Sequence, residues 1–299
     1  WVSNAAAAEL AGMRTASDGN DGSFTAPFST LDYAIGRCTA SRGDVIFVKP
    51  GYTQTLTNAT ALLFDVAGVA IVGLGSGTLR PTLTFGTAAS ANIPVSVANM
   101  SIQNFLFVAN FADVTSIFTV SGTALATDFS IENCEFRDTT ASLNFLTVLT
   151  DNATAQNLQG LRFCNNRVNL LGTTAATTLI KLTSAAHNRV QVNDNWVVMA
   201  ALSNTAALIA AGANILLQLE MARNVIFRPT VDTATGGMLL TTTATTDTGH
   251  VYCNVIKSLD VAGMLVAPTG TALGFTENYM SGTADTSGII LPAADSDAS

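Results

Sequence analysis

The sequence predicts an all-β chain wound as a parallel β-solenoid. Each coil carries three short strands, and a capping helix and an extended arm precede the first coil. An internal repeat is the first observation behind this. The pattern apolar-x-x-Asn-x-apolar occurs at Phe163-Cys164-Asn165-Asn166-Arg167-Val168 and returns around Asn195, Asn224, Asn254 and Asn278. Two earlier segments keep the apolar frame with Cys134 and Phe105 at the centre. The centres Phe105, Cys134, Asn166, Asn195, Asn224, Asn254 and Asn278 lie 29, 32, 29, 29, 30 and 24 residues apart, and a near-constant period of this length signals stacked coils. Composition is the second observation. Only 11% of the chain is charged while 48% is hydrophobic, against roughly 25% charged residues in an average soluble domain. The third is residue type: the apolar residues are mostly Ala, Val, Leu and Ile beside many Thr, a mixture that suits strands.

In chain order, residues 1–28 read as an arm or attachment segment and 29–299 as the solenoid. Asn4 is placed to cap a short helix over Ala5–Met13. Asp18-Gly19-Asn20-Asp21-Gly22-Ser23 has oxygen ligands at alternate positions, yet Ser29 stands where a calcium loop needs its bidentate Glu, so a turn-rich linker is expected. Ser29-Thr30-Leu31-Asp32 is close to a capping box and opens a helix to about Thr39. Leu31, Ala34, Ile35 and Cys38 share one face of it. Gly43-Asp44 then turns the chain into the strand Val45-Ile46-Phe47-Val48, which ends at Pro50-Gly51-Tyr52.

From Asn110 onward each coil divides into a first strand, a second strand, an Asn corner and a short third strand. First strands are expected at 117–120, 145–148, 179–182, 208–210, 238–240, 264–266 and 289–291. Second strands end in the column Ile131, Phe163, Val192, Met221, Val251, Phe275. Two physical reasons favour Asn at the corner. It tolerates the left-handed conformation better than any residue except Gly. Pointing inward, its amide can also bond the coils above and below. Asn166, Asn195, Asn224, Asn254 and Asn278 are therefore expected to form a structural ladder.

Chemistry is sparse. A net charge of −8 argues against nucleic-acid binding, which needs clustered Lys and Arg. No apolar run is long enough for a membrane span. Cys38, Cys134, Cys164 and Cys253 show no metal spacing, and buried free thiols are expected for a chain assembled in a reducing cytoplasm. Glu132, Glu135 and Asp138 form the best acidic concentration. Glu135 and Arg167 are expected to pair between coils, as are Asp194 and Arg223, at about 1 kcal/mol or less each. His187 and His250 are expected as solvated turn residues. Trp196, Tyr252 and Tyr279 are the aromatics that could meet a glycan. No catalytic residue, metal site or cofactor is expected. The loops at 173–176, 203–206 and 233–236 are rich in small residues, which suits flat packing against another copy.

The segment Asp21-Gly22-Ser23 … Ala26-Pro27-Phe28-Ser29-Thr30-Leu31 … Ala34-Ile35, followed by Gly43-Asp44-Val45-Ile46-Phe47-Val48-Lys49-Pro50-Gly51-Tyr52, resembles the start of right-handed parallel β-helix proteins of the pectate-lyase-like superfamily. Val69–Gly75 resembles their second coil. The likeness implies a single-stranded right-handed parallel β-helix with its open end plugged by a short helix. It carries no catalytic residue, because the paired-aspartate, Asn-x-Asp and Arg-x-Lys signatures of pectin-degrading members are not found here. With the low charge and free thiols, it leads to the expectation of a phage virion protein: a capsid-decoration (cement) protein or short fibre or spike. Such a protein would be a homotrimer, with major capsid or tail proteins as further partners. The alternatives are an extracellular polysaccharide lyase or hydrolase, such as a tailspike, and a bacterial surface adhesin meeting a glycan.

Overall fold

The computed structural model describes the chain except residues 5–11, 124, 154–157, 173–177, 184–185, 201–207, 213, 229–239, 243, 259–271, 282–287 and 291–299. Its strands stack in parallel into a solenoid. A nine-stranded sheet runs from Val45–Val48 through Ala70–Gly73, Ser101–Gln103, Ser130–Glu132, Arg162–Cys164, Gln191–Asn193, Leu219–Ala222 and Thr248–Tyr252 to Ala272–Thr276. A ten-stranded sheet starts at Thr53–Leu56 and reaches Asn278–Ser281 before a final antiparallel strand, Gly288–Ile290. A six-stranded sheet from Ile93–Pro94 to Leu240–Thr242 closes the third side.

Most expected first strands fall in that third sheet, at Phe118–Gly122, Thr147–Ala153, Thr178–Leu182, Ile209–Gly212 and Leu240–Thr242. The segment at 289–291 does not begin another coil. It folds back antiparallel on Asn278–Ser281, covering the edge that a further parallel strand would occupy. The segment 264–266, the helix expected over Ala5–Met13 and the three small-residue loops lie outside the described residues, the helix for all but its last two positions.

The period is dictated by registry. Ile46, Ile71, Ile102, Ile131, Phe163, Val192, Met221, Val251 and Phe275 are consecutive partners across the nine-stranded sheet, one per strand. Phe107 and Phe136 do the same in the ten-stranded sheet, and their rings stack with centroids 4.9 Å apart. Parallel strands about 4.8 Å apart bring like side chains into van der Waals contact, so one apolar residue per repeat is enough to build an unbroken core column.

The corner differs from expectation in an informative way. The ladder residue is not the left-handed one; its predecessor is. Asn104, Asn133, Asn165, Asp194, Arg223, Cys253 and Glu277 have φ between 52° and 60°. A second left-handed column lies five residues earlier, at Asn99, Asp128, Gly160, Arg189 and Gln218. The ladder Asn is selected by its amide instead. Each Oδ1 accepts the backbone N–H of the preceding coil's ladder residue: Asn166 from Cys134, Asn195 from Asn166, Asn224 from Asn195, Asn254 from Asn224 and Asn278 from Asn254, at 2.9–3.1 Å. Each Nδ2 donates to a carbonyl of that same coil, at Ile131, Phe163, Val192, Met221 and Val251. Amide-to-amide bonds of 2.9 Å link Asn195 to Asn224, Asn224 to Asn254 and Asn254 to Asn278. All five ladder asparagines are buried, so no donor or acceptor is stranded at the bend.

The helix Leu31–Gly36 caps the open end, with Thr30 rather than Ser29 as N-cap. Leu31, Ala34 and Ile35 are buried beneath it, while Cys38 is only partly so. Asp18 accepts the backbone N–H groups of Ser29 and Thr30 and the Thr30 hydroxyl, so the calcium-like loop uses this carboxylate to pin the helix start. Val2 bridges in parallel to both Val48 and Phe28 and is fully buried. Residues 1–3 are thus built onto the first coil's sheet. Of the expected arm, the described part that stays outside the strands and helix is the turn region from 12 to 27.

Candidate functional site

The outward face of the ten-stranded sheet carries charged, aromatic and aliphatic side chains. Its first outward row, one residue per strand, reads Leu106, Glu135, Arg167, Trp196, Val225, Val255, Tyr279. The row changes character along the axis. Glu135 and Arg167 are charged, whereas Trp196, Val255 and Tyr279 are apolar and 52%, 41% and 50% exposed. Strand alternation forces these residues outward, because Phe136, Val168, Val197, Ile226 and Ile256 face the core.

At the charged end the expected Glu135–Arg167 pair is not made, although the two are register partners. Glu135 bonds Arg80 instead, Oε2 to Nη1 at 3.2 Å. Arg80 follows the short 3-10 turn Gly77–Leu79 and reaches across two strands. Its Nε is buried with no partner among the described residues. The Arg167 side chain is exposed and makes no hydrogen bond or ion pair among the described residues. A groove of about 320 Å³ lies here, lined by Arg80, Asn104, Asn133, Cys134, Asn165 and Arg167. Arg167 also lines a second groove of similar size with Glu135, Val168, Asn169, Trp196 and Val198.

The acidic residues singled out in the sequence do not converge. Glu132 sits in the nine-stranded sheet, where it accepts the Ser130 hydroxyl at 2.7 Å and meets Arg162 at 3.4 Å. Asp138 is 2% exposed, not a surface acid. Its carboxylate accepts the backbone N–H groups of Phe145, Leu171 and Gly172 at 2.7–3.2 Å, tying two coils together. Burial nevertheless pushes it up to about 6. Asp194 and Arg223 do pair, as a two-bonded fork at 2.7 Å.

His187 is a correction. It is fully buried, with Nδ1 3.2 Å from the Leu158 carbonyl and 3.5 Å from the equally buried Asp151 carboxylate. Burial depresses its pKa, against the pull of Asp151. It occupies an inward position of the strand Ala186–Asn188, so it belongs to the interior and not to a solvated turn. His250 is exposed, edge-on to Tyr252. The four thiols are free. Cys134 fills a ladder position, its Sγ 3.8 Å from the Ile102 carbonyl, and burial raises its pKa to about 12. Among the described residues, no group of three His, Cys, Asp or Glu could hold a metal, and no helix is long and apolar enough to cross a membrane.

Stacked parallel sheets with bonded corner asparagines define a parallel β-solenoid, with a mixed charged and aromatic row on the outer face of one sheet. Among solved structures, the chain is similar to a rhamnogalacturonan lyase, with a TM-score of 0.46 and 13% identity over 92% of this chain and 87% of that one. No protein-family model and no curated protein matches the chain.

Proposed function

We propose that this chain is a non-catalytic structural solenoid that packs side by side with copies of itself. We further propose that it serves as a capsid-decoration protein, or as a short fibre or spike, in a tailed-phage virion. The observation that carries self-association is the apolar half of the outer row. Trp196, Val225, Val255 and Tyr279 follow one another on successive strands of one sheet, three of them exposed and Val225 partly so, and contiguous apolar residues of this kind mark interaction surfaces. The virion setting is supported by the resemblance of the first two coils and by the low charge, and the acidic residues support a structural part. Glu132, Glu135 and Asp138 are each engaged in holding coils.

The sheet face measures about 45 by 13 Å, near 600 Å² and below the ~800 Å² per partner of a standard interface. A contact through this face alone is therefore weak, and the test needs concentrated protein. Sedimentation of the full chain should show a concentration-dependent oligomer, a trimer being expected, which Val255→Glu and Tyr279→Ser shift towards monomer. A monomer at all concentrations sinks the self-association. Imaging of native particles tests the virion setting, and depolymerisation of a glycan by the wild type but not by Glu135→Ala would turn the reading to an enzyme.

A further inference from the structure

The charged half of the outer row has a cation surplus that the packing does not explain. Two guanidinium groups, Arg80 and Arg167, face one carboxylate, Glu135, on a chain whose net charge is −8. Glu135 engages Nη1 of Arg80, which leaves Nε of Arg80 buried and unpartnered among the described residues. Arg167 sits beside Glu135 and is not used by it. The side-chain amides of Asn133 and Asn165, held at left-handed corners on neighbouring coils, are exposed, and no partner for them stands among the described residues.

One strand beyond Arg167 stands Trp196, half exposed. The two grooves meet at Arg167. Guanidinium forks match the oxygens of carboxylates and sulfates, and an indole face offers a flat apolar surface for the C–H face of a sugar ring. The strand spacing of about 4.8 Å is close to the width of one pyranose ring, so a single sugar can meet both groups. We propose that the two grooves form one binding site for an acidic sugar unit of a surface glycan. Its carboxylate or sulfate would lie between Arg80 and Arg167, with its ring against Trp196. No bond is broken there. The site shares only Trp196 with the apolar rungs that carry self-association, and Arg80, Glu135 and Arg167 lie outside those rungs.

The test is a fluorescence titration of the full chain. Its two tryptophans are Trp1 and Trp196, so a Trp1→Phe background isolates the signal of the second. The probes are a uronic-acid oligosaccharide, a sulfated oligosaccharide and a neutral oligosaccharide of equal length. One or both acidic probes should change the emission, more weakly as salt is raised, and the neutral probe should not. Arg167→Gln should weaken binding about tenfold or more, the size expected for a hydrogen bond between charged groups. Trp196→Ala, read by calorimetry, should weaken it as well. Lys181→Gln, on the separate six-stranded sheet, should leave it unchanged. A response to the uronate alone or the sulfate alone identifies the anion and supports the site. Equal binding of the neutral probe overturns the proposal, as does unchanged binding by Arg167→Gln. So does a lack of response to both acidic probes up to about 10 mM, beyond the range of ordinary weak recognition.

Discussion

Oδ1 of Asn254 lies 2.9 Å from Nδ2 of Asn224 and 3.0 Å from the Asn224 backbone nitrogen, so one side-chain oxygen satisfies two donors of the coil before it. In turn Asn224 bonds Val192 and Asn195. Replacing it by Ala strands several buried groups, each worth about 1–3 kcal/mol. Asn224→Ala should therefore lower stability by about 3 kcal/mol or more. Its neighbour Arg223, at φ 54° and paired only at the surface, should behave differently. Arg223→Gly exchanges an exposed ion pair of about 1 kcal/mol or less for relief of a left-handed residue and should be nearly neutral. Urea midpoints of the two variants give the comparison. A larger loss in Arg223→Gly would mean that the fork, and not the amide, holds the corner.

Cys134 tests the same logic by gain. Its N–H already donates to Asn166, and its thiol stands near the carbonyl that an amide would bond. Cys134→Asn should extend the ladder by one rung and raise stability by about 1 kcal/mol, the net value of a hydrogen bond. A drop in melting temperature would show that packing against Phe105 outweighs the added bond.

Thiol chemistry follows from burial. Cys134 and Cys164, buried and with raised pKa values, should resist a disulfide reagent in the folded protein. Cys253 is partly exposed, although its bond with Glu277 raises its pKa as well. It should be the first of the four to react. Rapid labelling of Cys134 without denaturant would contradict the coil packing.

Two buried groups should shape the pH dependence with opposite signs. Asp138 titrates near 6 when folded and near 3.9 when unfolded, so between these values the folded state holds the extra proton. Stability should fall as pH rises through this window, by up to about 3 kcal/mol. In Asp138→Asn that slope should vanish, while the protein is weaker overall because Leu171 and Gly172 then face an N–H₂ group.

His187 acts the other way. Its folded pKa is depressed, so below the unfolded value of about 6.5 the unfolded chain takes up the proton first and stability is lost as pH falls. The acid limb should be shallower in His187→Gln than in wild type. An unchanged limb would mean that His187 takes up its proton as readily in the folded chain as in the unfolded one.

Repeated apolar residues and the asparagine column made the solenoid legible in the sequence, because a core column needs the same kind of residue at each return. The left-handed corner was placed one residue late. The correct position, with Asn104, Asn133, Asn165 and Asp194, carries its own signal: residues tolerant of positive φ, one per coil. Arg80 could not be found in this way. It precedes the recognisable repeats, and its pairing with Glu135 depends on a reach across two strands that periodicity does not encode. Position relative to the corner, rather than residue type, decides that Glu132 and Glu135 belong to different sheets. His187 went inward for a related reason, on a short strand that the three-strand pattern omits.

Because the corner's left-handed residues bear the bend with their backbones, all but the first of their side chains point away from the core without bonding the backbone of a neighbouring coil. Asn104 still ties the Gly73 and Gly75 carbonyls, whereas Asn133, Asn165, Asp194, Arg223, Cys253 and Glu277 form a line of six outward positions about 4.8 Å apart. Such a line works as a ruler printed on a rigid rod. Charges, amides or a thiol can be rewritten along it at fixed intervals, and new recognition can arise there without the interior registering the change.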